Sequence, residues 1–302
     1  MGKVLIKNLA MYNNQIIIAT SQYLAETLNS FAEWESKQFV FYGEVAAQKP
    51  HLLLYPEYGS VELILCNKDI KNQNPLSQVQ AIQHLHHKYM TTFEKLAKIN
   101  NCHIVTPSFP IIENNILSNR CYWVSPYKGV EGYQDKLIPT PYERANLNLN
   151  YKHKAMQLFK INNINFGIQI CYDSEFPFLI YDSAHKGMDI LLIPSCTDAV
   201  SGLHRVNIGA QARALENQIY TVVSSITCYS DWCDIIYDSG GYCSCYATPD
   251  LGFPPNGIIG KKAVNEIGWL VVNLDTTLLQ NVRKLGSVTN YQDATTFFNN
   301  SL

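Results

Sequence analysis

Short runs of branched and aromatic residues recur along this chain, and longer stretches with helical spacing lie between several of them. The runs are Gln15–Thr20, His51–Tyr55, His103–Pro107, Tyr122–Ser125, Ile164–Cys171, Ile190–Pro194, Tyr220–Thr227 and Trp269–Asn273. Each has strand length and is rich in side chains that pack on a pleated surface. Leu76–Ile99 carries Val79, Ile82, Leu85, Tyr89, Phe93 and Leu96 in steps of three and four, which predicts a helix. Ala25–Ala47, Phe176–Lys186 and His204–Asn217 read as further helices, whereas Ile116–Tyr151 reads as strands and loops. This alternation predicts an α/β fold with helices covering both sides of its sheets. No repeat, linker or charge run divides the chain, so one domain over residues 1–302 is expected, with an arm from about 281 to 302.

The core implied by that pattern is large. Apolar residues make up 47% of the chain and charged residues 16%, against roughly 25% charged in an average soluble protein. Such a composition excludes a disordered chain. The 16 Gly and 13 Pro exclude a collagen-like or low-complexity one. With 23 Lys+Arg against 25 Asp+Glu the net charge is −2, so nothing draws the chain to nucleic acid or an anionic membrane. The charge deficit leaves two explanations open: a large core, or a surface hidden in an oligomer.

Nine cysteines, an odd number, show no disulfide framework. Only Cys228 with Cys233 and Cys243 with Cys245 approach zinc-ligand spacing. Both pairs fit small apolar strand residues better, so neither metal nor cofactor is expected. The opening MGKVLIKNLAMYNN breaks its apolar run at Asn13 and Asn14, unlike a signal peptide. Uncharged stretches such as Asn217–Ser230 are too short and too polar to cross a bilayer. These features predict a soluble, cytoplasmic protein.

One thiol stands apart from the other eight. Cys171 ends the apolar strand in NINFGIQICYDSEFP, and Asp173 or Ser174 is placed to cap a helix starting near Phe176 and Pro177. A cysteine at such a turn lies near backbone N–H groups and a positive helix end, which favour the nucleophilic thiolate. By base rate a single cysteine is a small buried residue, so its company matters. HLLLYPEYGS puts Glu57 just past another apolar strand, and YQDKLIPTPYER puts Lys136 in a loop with Glu143 beyond two prolines. A strand-end carboxylate is most often a solvated turn residue, and a loop lysine a surface charge. Strand ends at one edge of an α/β sheet nevertheless converge, and sites form there.

These segments resemble the nitrilase superfamily, the carbon–nitrogen hydrolases, which are marked by a Glu–Lys–Cys triad. The matching pieces are PEY at Pro56–Tyr58, DKLIPTPYE at Asp135–Glu143, GIQICYDSEFP at Gly167–Pro177, LLIPSCTD at Leu191–Asp198 and QARALENQ at Gln211–Gln218. They run in order from about Ile16 to Leu279. The whole is similar to hydrolase modules that elsewhere follow an acetyltransferase domain, a domain these 302 residues lack. Ile138 and Pro139 depart from many relatives after the lysine. The resemblance implies a four-layer α-β-β-α sandwich, commonly paired through helices into a homodimer or larger assembly. It also implies Glu57 as general base, Lys136 as oxyanion-stabilising cation and Cys171 as nucleophile.

On those roles the N–H of Tyr172 assists the oxyanion, and Glu143 either steadies the ammonium of Lys136 or makes a plain loop salt bridge. The activity implied is thiol-dependent hydrolysis of a small linear amide through a thioester on Cys171. A nitrilase, an N-carbamoyl amidase, an acyltransferase and a non-catalytic binding module of the same fold are the alternatives. Cys196, Thr197 and Asp198 follow a strand and are candidates to line the pocket with Tyr142 and Tyr172. Asp198 suits either a cationic substrate or a helix cap. Phe176 suits either a pocket wall or, slightly better, the core. Arg213 and Glu216 are helical neighbours that suit packing or a subunit contact. His84, His86 and His87 do not share one helix face and read as solvated surface.

Overall fold

The computed structural model describes residues 14–66, 70, 73–198, 200–229 and 231–299. Strand β1 (Gln15–Leu24) is the seam of the fold. Its Ile18–Thr20 pair in parallel with β2 (Leu52–Leu54), and its Gln22–Leu24 pair in parallel with β10 (Tyr220–Thr227). β13 (Gly268–Asp275) runs antiparallel beside it. From β2 the sheet passes through parallel β3 (His103–Val105) to antiparallel β5 (Ile116–Ser125), which also pairs β4 (Phe109–Glu113) and β6 (Gly129–Asp135). From β10 it passes through parallel β9 (Ile190–Ser195) and β8 (Ile164–Ile168) to antiparallel β7 (Phe159–Ile161). β11 (Ser244–Tyr246) joins β12 (Ile258–Lys261) to the edge of β10.

The two ends of this strand order meet. Trp123 of β5 stacks on Phe159 of β7 with ring centroids 4.9 Å apart, and lies 5.3 Å from Phe166 of β8. The sheet is therefore curled into two facing halves. Helices cover the outsides: α1 (Phe31–Gly43) and α3 (His86–Asn100) on one half, α5 (Phe178–His185) and α6 (Val200–Asn217) on the other. Side-chain alternation carries the layering. Leu53 and Tyr55 join Trp34, Tyr89 and Phe93 beneath α1 and α3, while Leu52 and Leu54 join Trp123 and Phe166 between the halves. β9 is buried at every position because both its faces are covered. The expected α-β-β-α sandwich is thus present, its two sheets joined through β1 into one ladder.

Local chemistry moved several boundaries. Ser30 accepts the N–H of Glu33 and starts α1 inside the expected Ala25–Ala47 segment. The single helix expected over Leu76–Ile99 is two, α2 (Pro75–Ile82) and α3, with a 3₁₀ turn at Gln83–Leu85. Within Ile116–Tyr151, read as strands and loops, α4 (Pro141–Leu147) forms as well. Thr140 and Glu143 make its capping box and Pro141 opens its first turn. The segment from 281 onward completes α7 (Thr276–Leu285) and forms α8 (Asn290–Asn299). It is tied to its own chain: Arg283 donates to Gln218 O at 3.1 Å, and Gln218 Oε1 accepts from Tyr291 N at 3.2 Å. Residues 300–302 of the expected arm lie outside the described residues. Among those described, no helix is long and apolar enough to cross a membrane.

Candidate active site

The carboxyl ends of parallel strands deliver most of the singled-out residues. After β2, Tyr55 and Pro56 lead to Glu57; just past β8 comes Cys171; Cys196 follows β9 directly. Lys136 follows β6, its backbone N–H held at 2.8 Å by Asn119 O. Glu57, Lys136, Glu143 and Cys171 are all buried.

Lys136 Nζ lies 2.8 Å from Glu57 Oε1 and 2.7 Å from Glu143 Oε2. Asn119 Nδ2 donates to Glu57 Oε1 at 2.9 Å and to Glu143 Oε1 at 3.3 Å. The second oxygen of Glu57 accepts the Cys196 N–H at 3.1 Å. Glu143 Oε1 accepts the Tyr58 hydroxyl at 2.7 Å, and its Oε2 accepts the Thr140 N–H at 2.7 Å. Of the two readings of Glu143, this geometry matches a carboxylate that steadies the buried ammonium.

The electrostatics separate the two acids. Burial pushes the Glu57 carboxyl above the ordinary range; Lys136 pulls it back, and the neighbouring Glu143 charge pushes it up again. Burial pushes Glu143 up too, but Lys136 and the hydrogen bonds from Tyr58 and Thr140 outweigh it, leaving Glu143 below its usual value. Burial opposes the charge on Lys136, yet the two carboxylates hold it firmly protonated.

Cys171 opens a 3₁₀ turn, Cys171–Glu175, and its φ of 50° is in the left-handed region. Ser174 Oγ donates to Cys171 O at 2.7 Å, and Arg213 of α6 donates to Ser174 O at 2.9 Å, so the turn is held from within and from behind. Two expectations are corrected here. α5 begins only at Phe178 and has no side-chain cap, so neither Asp173 nor Ser174 caps it. Nor is the thiol's pKa lowered: burial, then the Glu57 charge, push it well above the ordinary thiol value, with Lys136 opposing. Its Sγ lies 3.4 Å from Cys196 O. Asp173 turns instead to the lysine loop, where its carboxylate accepts the N–H of Leu137 at 3.0 Å and of Ile138 at 2.8 Å.

A pocket of about 680 Å³ is lined by Glu57, Lys136 and Glu143, while Cys171 is buried and does not line it. Tyr142, Tyr172, Cys196 and Asp198 also line it. Thr197 does not; its hydroxyl donates to Gly240 O at 2.7 Å and fastens the loop after β10. Phe176 packs edge-on to Tyr172 at 4.8 Å. His84 and His87 are exposed, but His86 is half-buried against Phe109 and 2.9 Å from the Tyr122 hydroxyl, so that cluster is not wholly solvated. Among the described residues no group of three metal-binding side chains is assembled. Tyr58, Asp234 and Asp238 line the pocket as well. Sequence reading missed Asn119 and Arg205, which reach the site through tertiary packing alone.

Comparison with known proteins places the chain in a family. The sequence profile of the carbon–nitrogen hydrolases matches residues 8–248. The chain belongs to that family. This carbon–nitrogen hydrolase is 30% identical over 280 residues to the "probable hydrolase YhcX" of Bacillus subtilis (strain 168), covering 91% of this chain and 53% of that protein. It thus spans about half the length of that relative. Among solved structures it resembles Nit3 of Saccharomyces cerevisiae, described as a member of branch 10 of the nitrilase superfamily, with a TM-score of 0.68 and 19% identity over 89% of this chain and 93% of that one. It also resembles an amidase from Nesterenkonia sp., with a TM-score of 0.62 and 19% identity over 88% and 92% of the two chains. At these identities the solved structures share its fold.

Proposed function

We propose that this chain hydrolyses the carbon–nitrogen bond of a small amide through a thioester on Cys171. The observation that carries the reading is one buried ammonium, Lys136, shared at 2.8 and 2.7 Å by two carboxylates of opposite tendency. Glu57, pushed up by burial, is the acid of the two better suited to taking and returning a proton. It receives the thiol proton as Sγ bonds to the amide carbon. An ammonium has three donors; two of them meet Glu57 and Glu143, leaving one for the oxyanion that develops. The C–N bond breaks as Glu57 returns its proton to the departing nitrogen. Water then attacks the thioester, Glu57 takes its proton, and the Cys171 thiol is restored.

The pocket lining supports an amide without a carboxylate. Its two cations are already engaged, Lys136 by Glu57 and Glu143, and Arg205 by Glu175 at 3.4 Å. Asp198, Asp234 and Asp238 add negative charge along the wall. Ammonia release from a panel of neutral, cationic and anionic amides tests both parts. Hydrolysis surviving unchanged in Cys171→Ala removes the mechanism, and a preference for anionic amides removes the charge assignment. Nitriles, N-carbamoyl compounds and added amines in the same panel separate the alternatives.

The reading extends to a homodimer working in the cytoplasm. Phe178 of α5 and Val200, Ile208 and Leu215 of α6 are exposed apolar side chains on the outer helix layer, which supports pairing there. A single monomeric species by size-exclusion chromatography removes that part.

A further inference from the structure

The geometry points to Asp173 as the residue that sets the distance and direction between Cys171 and Lys136. The inference rests on the reading of those two groups as the reacting pair. They come from separate parts of the chain, and nothing in the strand ladder fixes one against the other. β6, which leads to Lys136, pairs β5; β8, which leads to Cys171, pairs β7 and β9. The facing halves meet by packing and by a few hydrogen bonds, such as Gln157 N to Gln134 Oε1 at 3.0 Å and Cys196 N to Glu57 Oε2 at 3.1 Å, and neither of these joins the Cys171 turn directly to the lysine loop.

Asp173 supplies that tie. It sits in the same short turn as Cys171, and its carboxylate accepts the two consecutive N–H groups that follow Lys136: Leu137 N at 3.0 and 3.2 Å from the two oxygens, Ile138 N at 2.8 Å. Its own backbone is fixed by donation to Ile170 O at 3.1 Å, and the neighbouring Ser174 O by Arg213. Each end of the tie is therefore rigid. The side chain is fully buried, and burial raises its carboxyl to about 7, a cost that the two N–H groups and Lys136 only partly offset. Glu57 and the Cys121 thiol are the other titratable groups that sense it. A buried carboxylate retained at that cost, with no cation bonded to it, holds geometry rather than adding stability.

The test is the titration of the Cys171 thiol, read as the pH dependence of its alkylation by iodoacetamide and followed by peptide mass spectrometry in the full chain. In Asp173→Ala the tie is cut and Lys136 no longer faces the sulfur squarely, so the midpoint rises by about one unit. In Asp173→Asn one acceptor oxygen remains, and the midpoint falls between wild type and Ala. Removing a nearby negative charge with no change of geometry would lower the midpoint, so the sign separates positioning from simple charge loss. A general loss of stability moves the melting temperature but not this midpoint. An unchanged or lowered midpoint overturns the inference. If the Ala variant does not fold, the Asn variant alone decides, with the same two outcomes. Because the probe needs no substrate, failure of every amide in the panel would sink the hydrolase reading and leave this result standing.

Discussion

The Glu143 carboxylate holds the Lys136 ammonium at 2.7 Å, with Tyr58, Asn119 and the Thr140 N–H closing round its oxygens. Glu143→Gln keeps the shape and removes the charge. Activity is expected to fall roughly a hundredfold, the scale of a misplaced catalytic group. Glu143 also pushes the Glu57 carboxyl up, so in the variant Glu57 titrates lower and the acid limb of kcat/KM moves to lower pH. A pH–rate profile of the variant checks this, and an unmoved limb counts against the coupling.

Asp173 should leave a mark on stability. Its carboxyl is raised from 3.8 to about 7 in the fold, so the folded state binds its proton more tightly than the unfolded chain. The contribution is fully present below pH 4 and is lost as pH rises through about 7. Asp173→Asn has no such proton. The stability difference between wild type and the Asn variant is expected to shift against wild type by a few kcal/mol, on the order set by 1.4 kcal/mol per unit, between pH 4 and 8. Urea midpoints at the two pH values measure it; a constant difference refutes it.

Gly209 of α6 packs on the Cys171–Glu175 turn, where an added Cβ would lie 2.9 Å from Ser174 O. That neighbour is backbone and cannot swing aside. Gly209→Ala is expected to cost about 1–3 kcal/mol in chemical denaturation. It should also slow turnover, because the turn that must yield is the one carrying Cys171. Full stability together with full activity would show that α6 can slide.

Trp123 and Phe159 join the facing halves of the sheet. Trp123→Ala opens a cavity in that layer and is expected to destabilise the protein by about 3–5 kcal/mol, read as a lowered urea midpoint. A loss under 1 kcal/mol would mean that the halves are held elsewhere.

Much of the frame could be read from the chain because it follows local rules. Leu52–Leu54 and the apolar ILLIP both read as strands, and strands form there. The Thr140–Pro141–Glu143 capping signal was equally present and went unused, hidden by the two prolines that suggested a loop. Asp173 was misplaced for a different reason. A residue just past a strand and before a helix obeys the capping rule locally, but here the lysine loop offers two unpaired N–H groups and takes the carboxylate. The thiol's titration was misjudged likewise, since strand-to-helix position predicts a dipole and only the fold reveals the depth of burial. Asn119 lies beyond such rules, because nothing near it in sequence announces two distant carboxylates.

The left-handed backbone at Cys171 gives that position a divided loyalty. Glycine is the residue that its φ of 50° suits best, and cysteine pays conformationally for standing there. Libraries sorted for thermal endurance alone should therefore drift toward Cys171→Gly, and libraries sorted for turnover should keep the sulfur. The codon at 171 would then record which pressure a population had been under, with no assay of the substrate.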